Sequence, residues 1–136
     1  MEKFVVAIAF LWFCCAPGFA QNSAEYDACM NNAQAQNQMN RCASDEAARA
    51  DAELNSVYRY VLAKVSGDRV ATAKIVAFEK AWKVYQTSYM NAMYPAENKQ
   101  SYGSMFPMEF DRLAAKLDRR QAGVLKEMLQ YYEESQ

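Results

Sequence analysis

Residues 39–67 read MNRCASDEAARADAELNSVYRYVLAKVSG, and the spacing within this stretch decides the fold. Apolar residues recur at steps of three and four: Met39, Cys42 or Ala43, Ala47, Ala50, Leu54, Val57 or Tyr58, Val61 and Val65. Such steps put them on one face of an α-helix, whereas a half-buried strand needs alternation at every second residue. The stretch therefore predicts one long amphipathic helix from about Gln36 to Val65. Ser66-Gly67 ends it, and Asp68 is placed to cap the helix that follows.

The same periodicity continues on both sides. Ala71, Ile75, Phe78, Trp82, Tyr85 and Tyr89 mark the inner seam of a third helix, which Pro95 stops near Tyr94. Beyond Gly103, Ser104 is the expected N-cap of a last helix with Pro107 in its first turn. Its seam runs through Phe110, Leu113, Leu117, Gln121, Val124 and Met128. Upstream, a short helix is expected from Asn22, because Asn22 and Glu25 have capping-box spacing and Glu25 and Asp27 suit a helix N-terminus. NNAQAQNQ (31–38) interrupts the pattern with a turn. The expected fold is all-α: an antiparallel bundle of three long helices plus one short N-terminal helix held by a disulfide. No internal repeat or second domain is visible.

The first 20 residues, MEKFVVAIAFLWFCCAPGFA, have Lys3, an apolar run from Phe4 to Cys15, and small Gly18 and Ala20 at the positions a signal peptidase inspects. This reads as a secretory signal peptide cleaved after Ala20, too short to remain as a span, leaving one domain over 21–136. Lipidation at Cys14 or Cys15 is the alternative, disfavoured by bulky Trp12 and Phe13 just ahead. The expected location is periplasmic or secreted. Cleavage removes two of the four cysteines, and the remaining Cys29 and Cys42 read as a disulfide in an exported chain. Closing so short a loop contributes about 3 kcal/mol in the chain-entropy account. The short helix alone is below the length that persists in water, so the bridge decides whether it is ordered.

Composition excludes several functions. The net charge is −1, and the leader carries away one charge of each sign, so no basic footprint for nucleic acid exists. The absence of histidine removes Ser-His and Cys-His nucleophiles, most zinc sites and the commonest general base. Asp45-Glu46 and Glu133-Glu134 are adjacent carboxylates that point apart on a helix, cannot flank a scissile glycosidic bond, and read as solvated faces. No catalytic residue and no cofactor is expected.

Three features remain. Asp51 and Asn55 lie one turn apart beside Leu54 and Tyr58, either as a recognition patch or as an internal hydrogen-bonded group orienting Trp82; the second reading is preferred. Trp82, on the apolar seam, reads as a core anchor. Around the segment Ser88–Phe110, Met90 and Met93 precede a polar loop, and Met105 and Met108 follow it. Thioethers suit copper(I), but aromatic neighbours favour sulfur-on-ring packing instead. The loop Ala96–Ser104 is long for a connection between packed helices. Its Glu97, Asn98, Lys99, Tyr102, Gly103 and Ser104 are the candidate interface, weighed against a mobile connector.

Cys29, Gln38-Met39-Asn40-Arg41-Cys42-Ala43, Ala50-Asp51-Ala52-Glu53-Leu54-Asn55 and Tyr58 resemble the LprI-type lysozyme-inhibitor family. The resemblance continues through Glu79-Lys80-Ala81-Trp82, Tyr85-Gln86 and Gly103-Ser104-Met105-Phe106-Pro107-Met108. Members are small exported proteins, and the resemblance implies inhibition of lysozyme by binding, without catalysis. The family usually has Gln at Glu79, Arg at Gln86, a later Arg near Gln121, and a second cysteine pair at Met90 and Leu113. The expected partner is a lysozyme or other peptidoglycan hydrolase, its active site blocked sterically. Alternatives are an immunity protein against a cell-wall amidase of competing bacteria, a periplasmic copper(I)-binding protein using the methionines, and a structural envelope protein. An apolar seam left uncovered by three helices would favour a homodimer.

Overall fold

The computed structural model describes residues 22–135. The leader read over residues 1–20, with Cys14 and Cys15, lies outside the described residues. The chain forms α1 (Ala24–Asn32), α2 (Gln36–Lys64), α3 (Arg69–Met93) and α4 (Phe106–Glu134), with a single 3-10 turn over Lys99–Tyr102. No strand occurs among the described residues. Successive long helices reverse direction, so α2 and α4 run parallel. Their cross-links advance together along both: Asn40 to Ser104, Glu46 to Arg119, and Glu53 to Lys126.

Local chemistry explains most boundaries. Ser66-Gly67 ends α2, and the Asp68 carboxylate accepts from the N–H groups of Val70 and Ala71 at 2.8 and 3.0 Å. α3 stops at Met93, two residues ahead of Pro95. Two expected caps are corrected. Ser23, not Asn22, caps α1: its Oγ accepts from Tyr26 N–H at 3.1 Å while its own N–H is committed to Glu46. Ser104 does not cap α4; its carbonyl accepts from Asn40 Nδ2, and Met105 occupies the cap position without a side-chain bond. Pro107 sits in the first turn of α4, where its missing N–H costs nothing.

α2 and α4 share the most extensive interface. Ala43, Ala50, Ala115 and Ala122 are buried and let the two backbones approach closely. Leu54, Val57, Val61, Val65, Ile75, Ala122 and Leu125 form the main core, with Tyr58, Phe78 and Trp82 packed around it. Each fully buried Leu, Ile or Val contributes about 1.5–3 kcal/mol. A smaller cluster of Tyr26, Cys42, Ala43 and Met108 joins α1 to the start of α2 and α4. The Cys29–Cys42 disulfide, with a Cα–Cα distance of 5.7 Å, lies beside it.

Two expected seam positions face solvent: Tyr85 is 53% and Val124 is 44% exposed. Tyr85 and Val124 lie at the margin of their helices' packed faces, which centre on Ile75, Glu79 and Met90 in α3 and on Asp118, Ala122 and Leu125 in α4. On α4 that face is wider than the seam and includes Ala115, Asp118, Ala122 and Leu125, because α2 and α3 both pack against it.

Among the described residues, four polar side chains are buried: Glu46, Glu79, Asp118 and Gln121. Glu46 is a correction to the solvated-face reading, since it is 1% exposed. It lies one turn from both Cys42 and Ala50 on the inner stripe of α2. Its carboxylate accepts from Ser23 N–H (2.8 Å) and Oγ (2.5 Å), and pairs with Arg49 (3.0 Å) and Arg119 (2.6 Å). Burial alone would raise its pKa; the bonds from Ser23, Arg49 and Arg119 outweigh that and hold it below the usual carboxylate range. Between α3 and α4, Gln121 Nε2 donates to Glu79 at 3.1 Å and Gln86 Nε2 donates to Asp118 at 2.6 Å. Burial pushes Asp118 up to about 6, helped by the charges of Asp51 and Glu79 and opposed by the Gln86 hydrogen bond and Lys83.

These contacts set three expectations. Opening the disulfide, by reduction or Cys29→Ser/Cys42→Ser, lowers unfolding stability by about 3 kcal/mol, read by denaturant titration of oxidised and reduced chains. Glu46→Ala leaves two arginines and the Ser23 donors without their acceptor, and costs about 3–5 kcal/mol in the same titration. Asp118 behaves oppositely to Glu46 with pH. Its raised folded pKa favours the native state fully below the unfolded value near 3.8, and that contribution is lost as pH rises to about 6. Asp118→Asn is therefore more stable than wild type at pH 7, by up to about 3 kcal/mol, with the gap closing towards pH 4. The depressed pKa of Glu46 acts in the opposite sense: its contribution is present above the unfolded carboxylate value and is lost as pH falls through its folded value, so acidification gains stability through Asp118 and then loses it through Glu46.

Candidate functional site

The connection between α3 and α4 is a folded structure. Asn98 Oδ1 accepts from Gln100 N–H at 3.0 Å and starts the 3-10 turn, while Ser101 Oγ donates to the Asn98 carbonyl at 2.7 Å. Gly103 follows with φ +82°, a left-handed value that a side chain would strain, and its N–H donates to the Gln100 carbonyl. Lys99 Nζ donates to the Tyr94 carbonyl, closing the loop onto the end of α3.

Aromatic rings form the floor. Tyr94 meets Tyr102 and Phe106 edge-on at 5.5 and 5.1 Å, Tyr102 stacks on Phe106 at 5.3 Å, and Phe106 contacts Phe110 at 5.4 Å. Such pairs contribute about 0.5–1.5 kcal/mol each beyond their burial. The Tyr102 hydroxyl accepts from Ala96 N–H at 2.8 Å, and Asn40 on α2 holds the far end through Ser104. The loop is thus fastened to α2, α3 and α4, at the end of the bundle that carries α1 and the disulfide.

Of the candidate interface residues, Glu97, Tyr102, Gly103 and Ser104 face solvent, with half-exposed Met93 and Met105 at the rim. Glu97 has no cation within ion-pair distance among the described residues. Asn98 and Lys99 spend their side chains inside the loop. The four methionines divide between settings. Met108 is buried with Tyr26, Cys42 and Ala43, whereas Met90 shares a cavity of about 270 Å³ with Gln86, Phe110 and Ala114. Met90 thus packs against α4 near Leu113, where the resemblance puts a second disulfide; Leu113 itself lines a different cavity with Tyr94.

On α2, Asn55 Nδ2 donates to both the carbonyl and the carboxylate of Asp51 at 2.9 Å, a bond within the helix, while Leu54 is buried in the core. Tyr58 and Trp82 are half-buried at the edge of that core. The Trp82 ring lies 5.6 Å from Tyr85, and its buried Nε1–H has no acceptor among the described residues. The two positions where the resemblance puts arginines, Gln86 and Gln121, point into the α3–α4 seam and bond Asp118 and Glu79. Sequence reasoning missed Glu46, Glu79 and Asp118; each falls one turn from buried apolar residues, and that spacing is the signal that marks them.

No described helix is long and apolar enough to cross a membrane. No curated protein and no solved structure matches the chain. The family described as lysozyme inhibitor LprI matches residues 29–125, from the first bridging cysteine to the last buried leucine of α4. With the greater part of the sequence inside that match, the chain belongs to the lysozyme inhibitor LprI family.

Proposed function

We propose that this protein is an exported, non-catalytic inhibitor of lysozyme or a closely similar peptidoglycan-cleaving glycosidase, and that the loop between α3 and α4 is the part that enters the enzyme's cleft. The family match over residues 29–125 carries the reading. The loop supports it chemically. A plug must hold its shape when water leaves the interface, and ordering a loose loop on binding costs about 0.5–1.5 kcal/mol per immobilised side chain. Here that ordering is already done by the Tyr94–Tyr102–Phe106–Phe110 group. Tyr102 and Met105 offer apolar area of the kind enriched at interface centres, and Glu97 offers an unpaired charge to a basic enzyme.

The deciding measurement is lysis of cell walls by lysozyme with the purified, oxidised protein titrated in. Inhibition that saturates near one-to-one stoichiometry is expected. No inhibition by a folded sample in micromolar excess would remove lysozyme as the target. Within an inhibitory chain, Glu97→Lys is expected to weaken inhibition by about tenfold at low salt and less at physiological salt, because an exposed charge acts through screened attraction. Equal inhibition by the variant would place the contact away from this loop.

A further inference from the structure

A cavity of about 380 Å³ lies along α4 between Tyr94 at the end of α3 and Asn22 ahead of α1, with Glu109, Arg112, Leu113, Lys116 and Arg119 as its α4 wall. Its size is within the range of small-ligand sites. Three cations line it against one carboxylate, in a chain whose net charge is only −1. Arg119 is bonded to Glu46, but that carboxylate also serves Arg49, so one buried anion is shared by two guanidiniums. Neither Arg112 nor Lys116 has a carboxylate within ion-pair distance among the described residues. The Arg112 guanidinium lies 6.0 Å above the Tyr26 ring instead, which holds it in place without neutralising it.

Arg112 and Lys116 are one turn apart on the same helix face, where like charges repel. An anion between them would turn that repulsion into attraction, and a guanidinium offers two parallel donors to a carboxylate or phosphate. Tyr94 and Leu113 supply an apolar wall beside the charged one. Glu109 on the same rim disfavours a polyanion that would cover the whole flank, and so favours a compact ligand with one anionic group.

We propose that this groove binds a small anionic ligand, a carboxylate or phosphate attached to a compact body, with Arg112 and Lys116 holding the anion and Tyr94 and Leu113 packing the body. The site goes beyond the inhibitor reading and does not depend on it: a chain without effect on lysozyme would still bind such a ligand. Two sources share this chemistry, the free carboxylates of wall-derived muramoyl peptides and phosphate groups.

The test is calorimetric and NMR titration of the full oxidised protein with N-acetylmuramoyl dipeptide and, separately, with inorganic phosphate. Saturable binding of at least one probe, with Kd of about 1 mM or tighter, is expected, together with shifts of the Arg112 and Lys116 amides. Which probe binds identifies the source. Binding should weaken several-fold, about threefold to tenfold, between low salt and about 150 mM salt. Arg112→Gln/Lys116→Gln, both exposed and outside the Glu46 cluster, should weaken it by about tenfold or more, with no larger change in melting temperature than loss of the Arg112–Tyr26 contact brings. Lys80→Gln on α3 should leave it unchanged. The single variant Lys116→Gln serves as a second reading, with a smaller loss in the same direction. No saturable binding of either probe, or binding that survives the double variant, overturns the proposal.

Discussion

A carboxylate taken out of water must be met by hydrogen bonds and opposite charge, and Glu46 obtains both from three separate parts of the chain. Ser23 supplies two donors from the segment ahead of α1, Arg49 supplies a guanidinium from its own helix, and Arg119 reaches across from α4. The partners therefore cannot separate without leaving a buried charge exposed to an apolar interior. α1, nine residues long, could not hold itself in place by helix propensity. The Glu46 knot fastens its start, the disulfide fastens its body to α2, and Tyr26 fills the space between. The loop between α3 and α4 rests on the same end of the bundle through Asn40, so the candidate interface inherits its footing from this corner.

The seam between α3 and α4 is held differently. α2 and α4 meet through alanines, valines and leucines, whereas α3 meets α4 partly through two polar pairs, Glu79 with Gln121 and Gln86 with Asp118. Amide partners satisfy the carboxylates' hydrogen bonding but do not cancel their charge. That is why Asp118 is displaced towards its protonated form and Glu46, with two arginines, in the opposite direction. An arginine in place of Gln86 or Gln121 would set a cation beside Asp118 or Glu79 inside the bundle.

Placing recognition on a connection normally trades precision for adaptability, because loops order only on binding. Here the connection has a small core of its own. Tyr94, Phe106 and Phe110 pack at its base with the loop's own Tyr102, Gly103 supplies the one left-handed residue the turn requires, and a lysine that could have been a free charge is used to close it. What faces outward is consequently small in number and fixed in direction, which is what a binding surface needs from its supporting residues. The cationic groove along α4 has the reverse character, with unpaired charges on a rigid helix and space left between them.

The helices, their turns and the bridge were legible in the amino-acid order because each depends on neighbours along the chain. Periodicity from Met39 to Val65, the Asp68 cap, the stop before Pro95 and the short Cys29–Cys42 loop are all local constraints, and all appear in the fold. The candidate loop was legible only as a polar stretch of suspicious length. Its ring floor, the burial of Glu46, the solvent exposure of Tyr85 and Val124, and the cations left unpaired at Arg112 and Lys116 were decided by tertiary structure. The polar contacts that hold the helices against one another join residues 23, 32, 42 and 73 positions apart. Helical spacing says which residues share a face, but the neighbour that face meets, and hence whether a carboxylate there is solvated, paired or protonated, follows only once three helices have chosen their relative rotation.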